Sequence, residues 1–222
     1  GKATFTASGT LQLIESTNLG TGARDTIVLS DGTNHVIAGL GNDDIDVGGG
    51  TNFVHGEEGK LEVQSDNSDT TLITTLNADA GTDSDIDDID IGAGFNVVIG
   101  GAAGDTVDVN GTATDAQSYV IGDSGSITLQ TSTGNLLSIE STDYDYGGAD
   151  EINLITGTNA VIGGAAGDEI SAESGTNTIL GDAGKATFTA SGTLQLIEST
   201  NLGTGARDTI VLSDGTNHVI AG

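Results

Sequence analysis

An all-β fold built of stacked parallel coils is what this sequence predicts, and three observations predict it. Two short phrases alternate: a Gly-rich turn, Asp, any residue and an aliphatic (Asp25-Thr26-Ile27, Asp43-Asp44-Ile45), then Gly-Thr-Asn, any residue and an aliphatic (Gly32-Thr33-Asn34-His35-Val36, Gly50-Thr51-Asn52-Phe53-Val54). The spacing is constant, with nine residues from Asp25 to Asn34, from Asn34 to Asp43 and from Asp43 to Asn52. Within each phrase apolar side chains alternate, as in Asp25-Thr26-Ile27-Val28-Leu29, which sets Ile27 and Leu29 on one side of a strand. A short strand and a Gly-rich turn fill nine positions and two such half-turns close an 18-residue coil, so the expected architecture is a parallel, two-sheet β-solenoid with tandem repeats.

Composition agrees and excludes much else. The chain has 222 residues, 36 Gly, three Tyr, four Phe and no Cys, Met, Pro or Trp. Ile, Val, Leu and Ala must therefore form the core, and they suit thin stacked sheets. The net charge of −28, with only five Lys and Arg, speaks against a nucleic-acid partner and calls for cations near the stacked carboxylates. Absence of Cys fits an extracellular protein without disulfides. No stretch approaches the roughly 18 apolar residues that span a bilayer. Beginning at Gly1, without Met or signal peptide, the chain reads as part of something longer.

Repetition runs at larger scales too. Residues 184–222 copy residues 1–39 letter for letter, an offset of 183. One full tandem repeat, 1–183, is thus followed by the start of the next. Inside it the Gly-x-Asn marks at Gly32, Gly94, Gly157 and Gly215 step by 62, 63 and 58 residues, giving subrepeats of about 20–81, 82–144 and 145–202. Each divides into six half-turns plus small insertions expected as loops near 74–81, Thr114–Gln117, Glu140–Tyr144 and Ser199–Leu202. Nine coils at about 4.8 Å each would make the period roughly 43 Å long. Two columns follow: Ile27, Ile45 and Val63 on the Asp-bearing face, Val36, Val54 and Leu72 on the Asn-bearing face.

Ala38-Gly-Leu-Gly-Asn-Asp43-Asp-Ile45-Asp, Gly100-Gly-Ala-Ala-Gly-Asp105-Thr-Val107-Asp and Gly163-Gly-Ala-Ala-Gly-Asp168-Glu-Ile170-Ser resemble the nonapeptide GGxGxDxUx of the haemolysin-type calcium-binding (RTX) repeats. The chain looks like a divergent member. About six of the eighteen half-turns per period match well, Ala103 and Ala166 stand at a glycine position, and the second face carries Asn in place of Asp. The resemblance implies a parallel β-roll, Ca2+ between some of the turns, export by type I secretion from a Gram-negative bacterium, and kinship with giant repetitive surface proteins and adhesins. It also implies the ligands: an Asp from each of two successive turns and backbone carbonyls of the Gly-rich loops. Here those are Asp25, Asp43, Asp87, Asp105, Asp150, Asp168 and Asp208, with Gly39, Gly41, Gly101, Gly104, Gly164 and Gly167.

Stacking pairs Asp25 with Asp43, Asp87 with Asp105 and Asp150 with Asp168, while Leu61, Ile127 and Ala186 should break the Asp ladder every third coil. The bland alternative is that each Asp only hydrogen-bonds its own turn. Asn34, Asn52, Asn96, Asn159 and Asn177 read as an asparagine ladder closing the other turns, since neutral amides alone are poor cation ligands, with a break at Ala113. Ile37, Ile73, Ile99, Ile121, Ile139, Ile162, Leu180 and Ile220 form a second apolar column interrupted by His55. Strict alternation turns it outward as a seam for lateral association; the expected placement is inward, widening the core. Tyr119, Tyr144 and Tyr146 fall in the insertions. No catalytic constellation emerges: there is no Cys, and His218 is only the copy of His35.

The expected function is structural rather than enzymatic: a stalk or fibre segment of a secreted bacterial surface protein or extracellular filament, stiffened by calcium, whose partners are neighbouring identical repeats or subunits. Two alternatives remain, an ice- or surface-binding solenoid and a β-roll module attached to a secreted enzyme.

Overall fold

A computed structural model describes residues 1–20, 22–64, 69–76, 85–113, 116–201 and 205–222. Among them the chain is all-β. A hairpin of β1 (Lys2–Phe5) and β2 (Leu11–Glu15) leads into β3 (Thr26–Leu29), β4 (Gly32–Ile37), β5 (Asp44–Val47) and β6 (Gly50–His55). The same sequence of elements then recurs: hairpin β7 (Gly59–Val63) and β8 (Thr70–Thr75), then β9 (Asp88–Ile91), β10 (Gly94–Ile99), β11 (Thr106–Val109) and β12 (Gln117–Ile121). Hairpin β13 (Gly125–Gln130) and β14 (Leu136–Ser141) precedes β15 (Glu151–Leu154), β16 (Thr158–Gly164), β17 (Glu169–Ala172) and β18 (Thr176–Asp182). Last come hairpin β19 (Gly184–Phe188) and β20 (Leu194–Ser199), then β21 (Thr209–Leu212) and β22 (Thr216–Ile220).

These strands sort into three sheets. The Asp-bearing strands make a parallel sheet in the order β3-β5-β9-β11-β15-β17-β21, and the Asn-bearing strands make another, β4-β6-β10-β12-β16-β18-β22. Between one hairpin and the next the chain alternates between the two, and the columns are in register: Ile27 on Ile45 on Ile89, and Val36 on Val54 on Val98. Between their facing sides lies a core of Ile45, Val54, Ile89, Val98, Val107, Val120, Ile152, Val161 and Ile170.

The third sheet was not expected. The hairpins join one another in the order β1-β2-β7-β8-β13-β14-β19-β20, antiparallel throughout. Each subrepeat therefore contributes two coils and one hairpin, not three coils. Val63 and Leu72 belong to this antiparallel sheet instead of stacking on Ile45 and Val54. Every subrepeat adds two strands to each layer, so the layers lengthen together, and the six strands per layer in one 183-residue period rise about 29 Å instead of 43 Å.

The hairpin sheet also decides the fate of the second apolar column. Ile99, Ile121, Ile162 and Leu180 do point away from the first core, but they meet Leu61, Ile73, Ile127, Leu129 and Ile139 of the hairpins in a second core. The column is neither an exposed seam nor a widening of the first core; it is the inner wall of a third layer. Ile73 and Ile139 reach that core from the hairpin side. Tyr119 lies in β12, 5% exposed and edge-on to Phe95 with centroids 5.7 Å apart, not in a surface insertion. The middle sheet is thus apolar on both faces, whereas the outer parallel sheet turns Asp46, Asp90 and Asp108 to solvent. Of the expected insertions, 77–81, 114–115 and Leu202 lie outside the described residues, as does 82–84 of the turn before Asp87.

Candidate metal centre

Each strand of the outer sheet is entered past an Asp, from the middle sheet at Asp43, Asp105 and Asp168 and from a hairpin at Asp25, Asp87, Asp150 and Asp208, and these Asp residues form a column at one corner. All seven Asp are brought together. Asp25 N–H donates to Asp43 Oδ1 (2.6 Å), Asp43 N–H to Asp87 Oδ1 (2.7 Å) and Asp87 N–H to Asp105 Oδ1 (2.8 Å). The series continues through Asp105 N–H to Asp150 (2.8 Å), Asp150 N–H to Asp168 (2.9 Å) and Asp168 N–H to Asp208 (3.1 Å). Every bond runs the same way, from one coil to the next. The expected break at Leu61, Ile127 and Ala186 does not occur, because those residues sit in the hairpins and successive coils close up past them. There are no isolated pairs, only one ladder.

Glycine makes the corner possible in two ways. Gly39, Gly41, Gly101 and Gly164 have φ of 99°, 135°, 150° and 132°, where a side chain strains the backbone. At Gly104 and Gly167 the reason is approach: a Cβ would lie 2.6 Å from the carbonyl oxygens of Ala149 and Arg207, the residues just before Asp150 and Asp208. Ala103 and Ala166, both at a motif glycine position, differ. Ala166 is forced to φ 66°, while Ala103 has no positive φ.

Half of each buried carboxylate has no partner. Oδ1 takes the neighbouring amide, yet Oδ2 of Asp43, Asp87, Asp105, Asp150, Asp168 and Asp208 is buried with no hydrogen bond among the described residues. Oδ2 of Asp87 and the Gly100 carbonyl oxygen flank one slot, the place a side chain on Gly56 would fill, and Gly100, Gly122 and Gly163 repeat this for Asp105, Asp150 and Asp168. Burial raises these acids, reinforced by the charges of neighbouring rungs. Asp87 is pushed up to about 8 and Asp168 to about 7. Asp105 and Asp150 rise well above the carboxylate range, and Asp43 and Asp208 rise too.

A second acidic series, missed from the sequence, borders the ladder. Glu57, Asp123 and Asp182 stand where the chain leaves the middle sheet for a hairpin, in Gly56-Glu57-Glu58-Gly59, Gly122-Asp123-Ser124-Gly125 and Gly181-Asp182-Ala183-Gly184. That recurring Gly-acid-x-Gly phrase was the available signal. Asp123 clamps two turns, accepting from Gly148 N–H (2.9 Å) and from Ala165 N–H. Asp182 accepts from Ala206 N–H (3.2 Å). Glu57 is 1% exposed, and burial, reinforced by the charges of Asp85 and Glu58, pushes it up to about 7 against the opposing pull of the Ala102 backbone amide.

The opposite corner behaves as a ladder of amides. Asn34 Nδ2 donates to Asn52 Oδ1 (2.9 Å) and Asn52 to Asn96 (2.9 Å), while Asn159 donates to Asn177 (2.8 Å) and Asn177 to Asn217 (2.7 Å). The residue that interrupts it is Ser118, not Ala113: Ser118 pairs in register with Asn96 and Asn159, and its Oγ and Asn159 Oδ1 are both buried without partners.

The donor set at the Asp corner fits a hard divalent cation: carboxylate oxygens without partners beside backbone carbonyls, with negative charge in excess. Among the described residues no three or more His, Cys, Asp or Glu side chains are arranged to hold a metal ion. A cation seated there would therefore draw most of its ligands from turn carbonyls. No helix among the described residues is long and apolar enough to cross a membrane. No protein family, curated protein or solved structure matches this chain.

Proposed function

We propose that this chain is a β-roll segment of a secreted bacterial surface protein or extracellular filament, a stalk or fibre serving adhesion or matrix, whose coils are stapled by calcium along the Asp ladder. One observation carries the reading: at one corner the stack holds six buried carboxylate oxygens without partners among the described residues. Bare, they oppose stacking at neutral pH. Calcium supplies the missing positive charge, and it would be held through the Oδ2 atoms of Asp43, Asp87, Asp105, Asp150, Asp168 and Asp208 with carbonyls of the adjoining turns. Aliphatic stacking and the Asn ladder then set the spacing, and length grows by adding repeats without redesigning a core. Type I secretion and a cell-surface address belong to the same reading.

Circular dichroism and calorimetric titration with calcium, starting from chelated protein, test it. Several ions bound per chain, with a gain of β-structure or a large rise in melting temperature, are expected, because binding free energy becomes folding free energy. A chelated chain that is folded and indifferent to calcium refutes the calcium staple and leaves a ladder of protonated acids.

A further inference from the structure

On its hairpin side the middle sheet carries a line of rings through the first two subrepeats and none in the third. His35 of β4 stacks on Phe53 of β6 with centroids 5.1 Å apart, Phe53 meets Phe95 of β10 at 5.9 Å, and Phe95 meets Tyr119 of β12 edge-on. Beyond Tyr119 the register gives Ala160 on β16, Thr178 on β18 and then His218 on β22. The adjoining register runs from Phe95 through Gln117 to Thr158 and Thr176. Two consecutive strands thus offer only Thr and Ala where each of the four before them offers a ring. The gap spans about 14 Å between the Tyr119 and His218 backbones, three strand spacings.

The hairpin layer does not fill it. A cleft of about 350 Å³ lies there, with Tyr119 at one end, His218 at the other, and Phe188 and Leu194 of the β19–β20 hairpin above. Two matching turn glycines show what is missing. A Cβ on Gly134, in the β13–β14 turn, would lie 3.6 Å from the Phe95 ring. One on Gly192, in the β19–β20 turn, would meet only the Asn135 side chain within 4 Å among the described residues.

Chemistry selects the occupant. Among the described residues no Asp, Glu, Lys or Arg lines the cleft, and the net charge of −28 repels anions. Its ends and roof are aromatic and aliphatic, and the hydroxyls of Thr158, Thr176 and Thr193 give it a few polar points, the usual make-up of a small-molecule site. An apolar cavity of about 150 Å³ takes one benzene ring, so this one suits two fused rings.

We propose that the cleft binds a neutral two-ring aromatic molecule with one hydrogen-bonding edge, of which indole is the simplest, and that this guest completes the line of rings between Tyr119 and His218. It packs offset or edge-on against them, as Phe53 and Phe95 pack against their neighbours, and its N–H donates to a threonine hydroxyl. The inference goes beyond the stalk reading and rests on neither calcium nor assembly.

Indole fluorescence, titrated with the folded 222-residue chain in calcium, reads binding directly because the protein has no Trp. Saturation at one indole per chain with a Kd below about 1 mM is expected, together with an upfield shift of the Ala160 methyl resonance. Two variants place a ring of the protein's own in the gap: Ala160→Phe in the register of Tyr119, and Thr158→Phe, at an exposed position, in the register of Phe95. Each, with its fold checked by circular dichroism, should weaken indole binding by about tenfold or more. A second hollow of about 300 Å³, beside Phe53 and Phe95, is untouched by either change. Binding that survives in a folded variant therefore places indole elsewhere and overturns the proposal, as does a folded parent without saturable binding below about 1 mM. Neither result touches the calcium reading, which the chelation experiment decides.

Discussion

Replacing Asp87 with Asn should change stability in opposite directions with and without calcium. Asp87 is fully buried, its Oδ1 accepts Asp43 N–H, and burial holds its acid near 8 against an ordinary 3.8. The sign follows from linkage. A raised folded pKa means that the folded state binds the proton more tightly, so stability is full below the unfolded value of 3.8 and is lost as pH climbs toward 8. At pH 7, about three of those pK units are already expressed, or roughly 4 kcal/mol at 1.4 kcal/mol per unit. The Asp87→Asn side chain keeps an acceptor for Asp43 N–H and removes the charge, at an amide burial cost of about 1–3 kcal/mol. The net expectation in chelator is a stabilisation of about 2 kcal/mol, which in a chain of this size raises the melting temperature by roughly 4–8 °C. In calcium the same substitution should lower the melting temperature, because the proposed staple loses its carboxylate at this rung. Paired thermal melts by circular dichroism at pH 7 measure both arms. Destabilisation in chelator would refute the claim that the ladder carries a charge-burial cost, and an unchanged calcium increment would refute calcium binding at this rung.

Three further expectations concern single positions. Ser118→Asn should bridge Asn96 and Asn159 and satisfy Asn159 Oδ1, stabilising by about 1–2 kcal/mol in chemical denaturation. Ala166→Gly should stabilise by about 1 kcal/mol because φ is 66° there, while Ala103→Gly, at the matching motif position without positive φ, should destabilise by about 0.5–1 kcal/mol; equal effects would show that the turn is not strained. His55, buried in the otherwise aliphatic column, is pushed down to about 4 from 6.5 by burial. The unfolded chain therefore takes the proton first, and stability present above pH 6.5 is lost as pH falls toward 4, by about 3 kcal/mol. Wild type minus His55→Ile should isolate that slope from the opposite one of the aspartates; a pH-independent difference would place His55 in water.

Much of this was legible in the chain itself. The nine-residue alternation placed Asp, Asn and the inward aliphatics in their columns, and β3–β6 follow it in register. The hairpins are not legible in this way because Gly59-Lys60-Leu61-Glu62-Val63 alternates as a coil strand does, and alternation specifies a strand without naming its sheet. A signal for the third layer was nevertheless present. Val97-Val98-Ile99, Tyr119-Val120-Ile121 and Ala160-Val161-Ile162 are continuous apolar runs, the mark of strands buried on both faces, whereas Asp44-Ile45-Asp46-Val47 alternates as a strand with one wet face.

By itself, then, the sequence determined the local periods: which residues form strands, which close turns, and which side chains share a column. Those are set by backbone sterics at glycine and by the two-residue repeat of a strand. Only the tertiary structure decided that every third pair of half-turns leaves the stack as a hairpin, covering the outward isoleucines and letting Asp43 meet Asp87 across 44 residues. Pairing partners are chosen by burial of both faces of the middle sheet at once, a condition on the whole stack that no nine-residue window contains.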